Sequence, residues 1–197
     1  MATSSGEMKK IYFITSNKKK LEEVNDLLGS HPKFELIAKD IDLDEYQGEP
    51  EKISIKKCKA AQKMIDGPVL IEDVSLCFNA LKELPGPYIK WFVEDLKLEG
   101  LSKILVAYED KRATAKVIFA YGERDKNGEP TEPKLFIGTA EGTIVMPRPG
   151  SYAKDDGWDP IFQPKGETET YGEMTKERKN EISYRRVAID KIIKHFA

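Results

Sequence analysis

Ile11-Tyr12-Phe13-Ile14-Thr15-Ser16-Asn17-Lys18-Lys19-Lys20, running on through Leu21 to Leu28, decides how the chain folds. Ile11 to Ile14 are consecutive apolar residues of β-rich type and read as a strand buried on both faces. Leu21, Val24, Leu27 and Leu28 then fall on one side of a helix. Thr15-Ser16-Asn17 is the turn between them. Its residues are small, tolerate unusual backbone angles, and are expected to leave N–H groups free at the positive end of the helix. Such a terminus suits an anion. Lys18, Lys19 and Lys20 oppose the helix dipole, at roughly a few tenths of a kcal/mol each, unless a negative group lies among them. On these residues alone two readings stand side by side, a solvated lysine cluster and a phosphate site. No Walker sequence or G-x-G-x-x-G is present to decide between them.

Outward from this unit, Phe34 to Ala38 alternates like a half-exposed strand and leads into an acidic stretch, Asp40 to Glu51, that carries Gly48 and Pro50. Lys52 to Asp66 has Ile53, Lys57, Ala60, Ala61, Met64 and Ile65 at helical spacing and stops at Gly67-Pro68. Val69-Leu70-Ile71 is expected to be a short buried strand ending in Glu72-Asp73. Strand, helix, strand, helix, strand is an α/β pattern.

Leu84-Pro85-Gly86-Pro87 breaks the chain before an expected helix through Ile89, Trp91, Phe92 and Leu96, with a second short helix over Leu101 to Ala107. Thr114 to Tyr121, Lys134 to Ile137 and Glu141 to Met146 read as strands, the first two joined around Asp125-Lys126-Asn127-Gly128, a hairpin signal. A loop rich in Pro, Gly and Asp runs from Pro147 to Pro160. The final helix is expected to begin near Lys176 and to bury Ile182, Ile189, Ile193 and Phe196.

The chain has 197 residues, enough to bury a full core as one domain or two closely joined lobes. A net charge of −2 argues against a general nucleic-acid or membrane-surface binder, which carries a basic excess. A small polyanion held by a few local lysines is compatible with it. Cys58 and Cys77 form no C-x-x-C, so neither a zinc site nor a disulfide framework is suggested; two buried thiols in a reducing cytosol are expected. Met1 to Glu7 lacks the charged and apolar regions of a signal peptide, and no apolar run approaches a membrane span. The expectation is a cytoplasmic protein whose residues 1–8 are a flexible N-terminus.

Carboxylates and lysines are the candidates for chemistry. Glu72-Asp73 directly follows a buried strand, where open α/β sheets hold their ligands. A carboxylate there suits Mg²⁺, which binds proteins through one or two carboxylates plus substrate phosphates, and Asp42, Asp44 or Glu45 could supply a second. Lys57 and Lys90 read most simply as snorkelling lysines. For Lys90 the functional reading is favoured, because Pro-Gly-Pro stiffens its approach and its flanking residues are large and apolar. Gly157-Trp158-Asp159-Pro160 offers an aromatic surface and a carboxylate to a base, or simply a core tryptophan. Ser183 and Arg185 could offer donors at a helical edge.

Together these residues carry a resemblance. The sequence resembles the inosine triphosphate pyrophosphatases, HAM1-like hydrolases that convert non-standard purine nucleoside triphosphates to the monophosphate and pyrophosphate. The matching segments are Thr15-Ser16-Asn17-Lys18-Lys19-Lys20-Leu21-Glu22-Glu23-Val24, Glu45-Tyr46-Gln47-Gly48-Glu49, Ile71-Glu72-Asp73, Leu84 to Phe92, Gly157-Trp158-Asp159-Pro160, and Lys179-Asn180-Glu181-Ile182-Ser183, in the family's order. The resemblance implies a long twisted mixed sheet with flanking helices, two lobes around a central nucleotide cleft within a single domain over 9–197, and a homodimer. It implies that Thr15, Ser16, Asn17, Lys18, Lys19, Lys20, Lys57, Lys90 and Lys179 surround the triphosphate. Glu45 and Asp73 would hold magnesium, and Asp73 would be the base for the attacking water. Val74 and the run Asp156, Gly157, Trp158 and Asp159, with Ser183, Tyr184 and Arg185, would complete the substrate site, the later residues facing the purine.

This chain departs from the family's usual pattern at four of these places. The family usually has Thr-Gly-Asn in place of Thr15-Ser16-Asn17, a hydroxyl residue at Val74, Phe at Asp156, and Ser-His-Arg in place of Ser183-Tyr184-Arg185. The expected activity is Mg²⁺-dependent hydrolysis of ITP, dITP and XTP, with no nucleic-acid or membrane partner. The alternatives are a nucleotide pyrophosphatase with a different base preference, and a nucleotide-binding protein that has lost turnover.

Overall fold

The computed structural model describes residues 8–29, 31, 33–149 and 157–197. Its opening strand, β1, is Lys9–Ile14, and α1 follows at Lys18–Leu28. The helix begins three residues before the apolar periodicity does, because Asn17 caps it. The Asn17 side chain accepts from Lys19 N and Lys20 N, a cap worth about 1 kcal/mol, and Val24 and Leu27 are buried. Next come β2 (Phe34–Lys39), α2 (Pro50–Met64), β3 (Val69–Phe78), β4 (Pro85–Gly86) and α3 (Ile89–Lys103). β5 (Arg112–Gly122), β6 (Lys134–Ile144), β7 (Phe162–Pro164), α4 (Lys176–Ile182) and α5 (Tyr184–Phe196) complete the order.

The strands form one seven-stranded mixed sheet in the order β2-β1-β3-β5-β6-β7, with β4 paired to β3. β1 runs parallel to β2 and to β3, whereas β3 with β4 and β6 with β7 are antiparallel. With five α-helices among the described residues, the α/β expectation holds. The chain divides into two compact units, one of Met1–Asp73, Ile118–Ile137 and Ala188–Ala197, the other of Val74–Val117 and Gly138–Val187.

In the first unit, Cys58 and Ala61 of α2, with Ile65 just after it, lie against Ile14, Val69, Ile71 and Ala120. Ile41 and Leu43 of the acidic stretch pack on this core, while Asp42 and Asp44, alternating with them, are exposed. The loop after β2 is thereby tied down at its apolar positions.

Four expectations about elements are corrected. Val69-Leu70-Ile71 is not a whole strand: β3 continues through Glu72 and Asp73 to Phe78, since Val74 to Phe78 resume the β-rich run after the acidic pair. Lys134 to Ile137 and Glu141 to Ile144 belong to one strand, β6. Gly138-Thr139-Ala140 continue the strand rather than break it, and at Gly142 a Cβ would meet the Phe162 ring of β7 at 2.5 Å. The pair of helices expected after Ile89 is instead divided at Lys97, whose φ of 56° is left-handed, rather than before Leu101. The terminal helix is two helices, because Ser183 adopts extended backbone and its Oγ accepts from Arg186 N, an N-cap for α5. The buried residues of α5 then include Tyr184, Ala188, Ile189 and Ile192, whereas Ile182 of α4 and Ile193 and Phe196 of α5 are only half-buried.

Both cysteines are free and buried, as expected. Cys58 lies 3.4 Å from the Ala120 carbonyl oxygen, and burial pushes its thiol up to about 12. The thiolate is the reactive form, so Ellman's reagent at about pH 8 is expected to titrate no thiol in the native protein and both after unfolding. A thiol that reacts rapidly in the native state would contradict this packing.

Candidate active site

The first unit gathers carboxylates and lysines beside the opening turn. β1 pairs with β3 at Tyr12–Val69, Phe13–Leu70 and Ile14–Ile71, and there β1 ends. β3 runs on, so Glu72 and Asp73 occupy the position just past the carboxyl end of β1, next to Thr15-Ser16-Asn17. They mark the end of a strand pairing rather than the end of a strand. It is also where the sheet order reverses, with β2 on one side of β1 and β3 on the other, the place where open parallel sheets bind ligands.

Topology decides what each carboxylate meets. The crossovers β1-α1-β2 and β2-α2-β3 run in opposite directions across the sheet, and right-handed crossovers then set α1 and α2 on opposite faces. Successive strand residues also point to opposite faces. Glu72 accordingly pairs with Lys20 of α1 at 3.3 Å, and Asp73 with Lys57 of α2 at 3.3 Å.

Lys57 lies four residues after Ile53 and four before Ala61, both buried, so its stem runs along the apolar face of α2. Its ammonium bridges Glu45, at 2.7 Å, and Asp73. Burial works to lower the pKa of Lys57, but the Asp73 and Glu45 carboxylates outweigh it and hold the ammonium above its ordinary value. Burial likewise pushes the Asp73 carboxyl up, and the charges of Lys57 and Lys20 offset that only in part. Of the second carboxylates considered, Glu45 reaches this group, whereas the exposed Asp42 and Asp44 are turned to solvent.

The turn itself differs from expectation in one respect. Asn17 Oδ1 accepts from Lys19 N at 3.0 Å and Lys20 N at 3.2 Å, and Thr15 Oγ1 accepts from Asn17 N at 3.1 Å. Two of the N–H groups expected to be open are thus engaged by the cap, and Ser16, Lys18 and Lys19 are exposed.

The second unit builds an aromatic platform. Gly157 has the left-handed φ of 61° and leads into Trp158, which stacks on Tyr184 with centroids 5.6 Å apart and meets Phe162 edge-on at 5.6 Å. Gly172 allows the backbone to pass Pro160, where a Cβ would meet Pro160 Cα at 2.9 Å. Asp159, only 4% exposed, accepts from Lys179 Nζ at 2.5 Å. Arg185 is buried, with its guanidinium 5.4 Å from the centroid of the Tyr184 ring. Trp158 is therefore a core residue, 7% exposed and packed between Phe162 and Tyr184. Lys179, expected at the triphosphate, is joined here to Asp159, expected at the purine. Val74 follows Asp73 on β3 and is half-buried, while Lys90 is exposed and lies 5.1 Å from the Trp91 ring. Asp156 lies outside the described residues.

Among the described residues no three acidic, histidine or cysteine side chains form a metal-holding group. The Glu45–Asp73 pair nevertheless fits magnesium. Its oxygen donors suit a hard cation, the two carboxylates already converge on one positive charge, and two protein carboxylates are the usual complement when phosphates supply the rest.

The Ham1 family model matches residues 11–195. This chain belongs to the Ham1 family. The resemblance read from the motifs is thereby borne out. Solved structures agree across nearly the whole length. The Ham1 protein of Staphylococcus aureus is 28% identical, with a TM-score of 0.78 over 95% of this chain and 97% of that one. A HAM1 protein from Coxiella burnetii is 25% identical, with a TM-score of 0.81 over 95% and 98%. A nucleoside-triphosphatase / dITP/XTP pyrophosphatase from Mycobacterium abscessus, 24% identical, shares the fold with a TM-score of 0.69 over 93% and 98%.

Proposed function

We propose that this Ham1 family protein hydrolyses non-standard purine nucleoside triphosphates, ITP, dITP and XTP, to the monophosphate and pyrophosphate with Mg²⁺. Family membership supports a hydrolase of nucleotide phosphoanhydride bonds. The observation that carries the finer reading is the convergence of Glu45 and Asp73 on a single cation, Lys57, beside a lysine-rich helix start.

Lys18, Lys19 and Lys20 supply positive charge to a phosphate chain at the α1 terminus, where the helix dipole adds to theirs. Glu45 and Asp73 would hold the magnesium, which when bound neutralises phosphate oxygens and stabilises the pyrophosphate leaving group. Asp73, a buried carboxylate beside the phosphate end of the site, would be the acceptor for the proton of the attacking water. Lys57 keeps the two carboxylates from repelling each other. The Trp158–Tyr184 platform and the buried Arg185 supply an aromatic surface and a donor of the kind a 6-oxopurine needs. A cytoplasmic setting is supported by the two free, buried thiols, and no helix among the described residues is long and apolar enough to cross a membrane. The net charge of −2 speaks for a small nucleotide rather than a nucleic acid as the partner, and a homodimer rests on the resemblance.

Pyrophosphate release from ITP tests this directly. Inosine monophosphate and pyrophosphate are expected in equal amounts with Mg²⁺ and neither with EDTA. Release of inorganic phosphate and IDP would refute attack at the α-phosphorus.

A further inference from the structure

The geometry points to Glu72 as a positioning residue that holds Lys20 at the phosphate end of the site. Its side chain is 1% exposed, and a buried carboxylate is tolerated when a cation is within reach. That cation is Lys20 Nζ, 3.3 Å from Oε2, on a side chain that keeps 32% of its surface exposed. The ammonium is tied to the strand at the end of a side chain that solvent still reaches.

The arrangement answers an electrostatic problem set by the sequence. Lys20 is the third residue of α1, where a cation opposes the helix dipole. Lys18 and Lys19 share that turn and are exposed, so positive charge alone would require no buried carboxylate. Glu72 holds Lys20 from the neighbouring strand. A lysine stem carries large rotamer entropy, and a lysine already held in place loses less of it when a phosphate arrives. Asp73 also feels the charge of Lys20, but its hydrogen bond is with Lys57 of α2.

This inference rests on the reading of Thr15 to Lys20 as a triphosphate site. Its test is a double-mutant cycle of Glu72→Gln and Lys20→Met, read as KM and kcat for ITP, as Kd for inorganic tripolyphosphate by calorimetry, and as Tm. Glu72→Gln and Lys20→Met are each expected to raise KM and the tripolyphosphate Kd by roughly tenfold. The double variant is expected to be no worse than the poorer single one, because both act through the same ammonium. Glu72→Asp keeps the charge but retracts it by one methylene. It is expected to hold Tm near wild type while still raising KM, and it carries the test if the glutamine variant does not fold. A purely structural Glu72 would lower Tm and the active fraction and leave KM unchanged, and that result overturns the inference, as would multiplicative effects in the cycle. Wild-type protein that neither binds tripolyphosphate nor hydrolyses ITP would instead remove the phosphate reading on which it stands.

Discussion

Asp73→Asn is expected to lower kcat on ITP by roughly 10²-fold or more at saturating Mg²⁺. The substitution removes a carboxylate that serves three relationships at once. It is one of the two oxygen donors proposed for magnesium, it is the proposed proton acceptor for water, and it is the partner of Lys57 at 3.3 Å. General-base removal alone is commonly worth about 10²–10⁴-fold. Asparagine keeps the shape and one hydrogen-bond acceptor, so β3 and its pairing to β1 should survive. The ammonium of Lys57 retains Glu45 at 2.7 Å, which limits the electrostatic cost of the change. Circular dichroism and Tm close to wild type are therefore expected alongside the loss of turnover. Undiminished kcat with normal magnesium dependence would remove Asp73 from both roles.

Much of this site was legible in the chain because its local signals are strong. The apolar run Ile11 to Ile14, the small-residue turn after it and the helical spacing from Leu21 fix β1 and α1 without reference to anything distant. Lys57 could be placed on an apolar face from Ile53 and Ala61 alone, and such a lysine needs an anion or an exit to water. What could not be read was partnership. That Glu72 meets Lys20 while Asp73 meets Lys57 depends on the order β2-β1-β3 and on the crossovers, which no local window contains. The acidic pair also disguised the length of β3. Charged residues in mid-strand look like a terminus unless the strand beside them is known to stop, and β1 stops at Ile14. Ser183 was misread for a related reason. A serine between helical stretches is compatible with one helix or with a cap, and the hydrogen bond to Arg186 N selects the cap.

The proposed preference among bases would rest on the second unit's own chemistry. A 6-oxopurine presents an acceptor at the 6-position and a donor at N1, whereas adenine presents a donor and an acceptor there. A pocket that pairs Arg185 or a backbone donor with the oxygen leaves groups unpaired when ATP enters. Each buried group left unpaired costs about 1–3 kcal/mol, so two mismatches amount to roughly 10²–10⁴-fold discrimination. Tyr184, where the family usually has histidine, does not supply a free ring nitrogen. The residue is 3% exposed, stacked on Trp158 and 5.4 Å from the Arg185 guanidinium, so the proposed pocket would have it hold Arg185 beside the base. Part of the expected discrimination is thereby lost and part retained, and kcat/KM is expected to be at least about tenfold higher for ITP than for ATP. Arg185→Ala should shrink that ratio. Because Arg185 is buried, the variant will also lose stability, but a ratio of two kcat/KM values on one preparation is independent of the fraction folded. Equal wild-type rates on ITP and ATP would show that the aromatic platform does not select the base, and would leave the magnesium and phosphate assignments in the first unit standing.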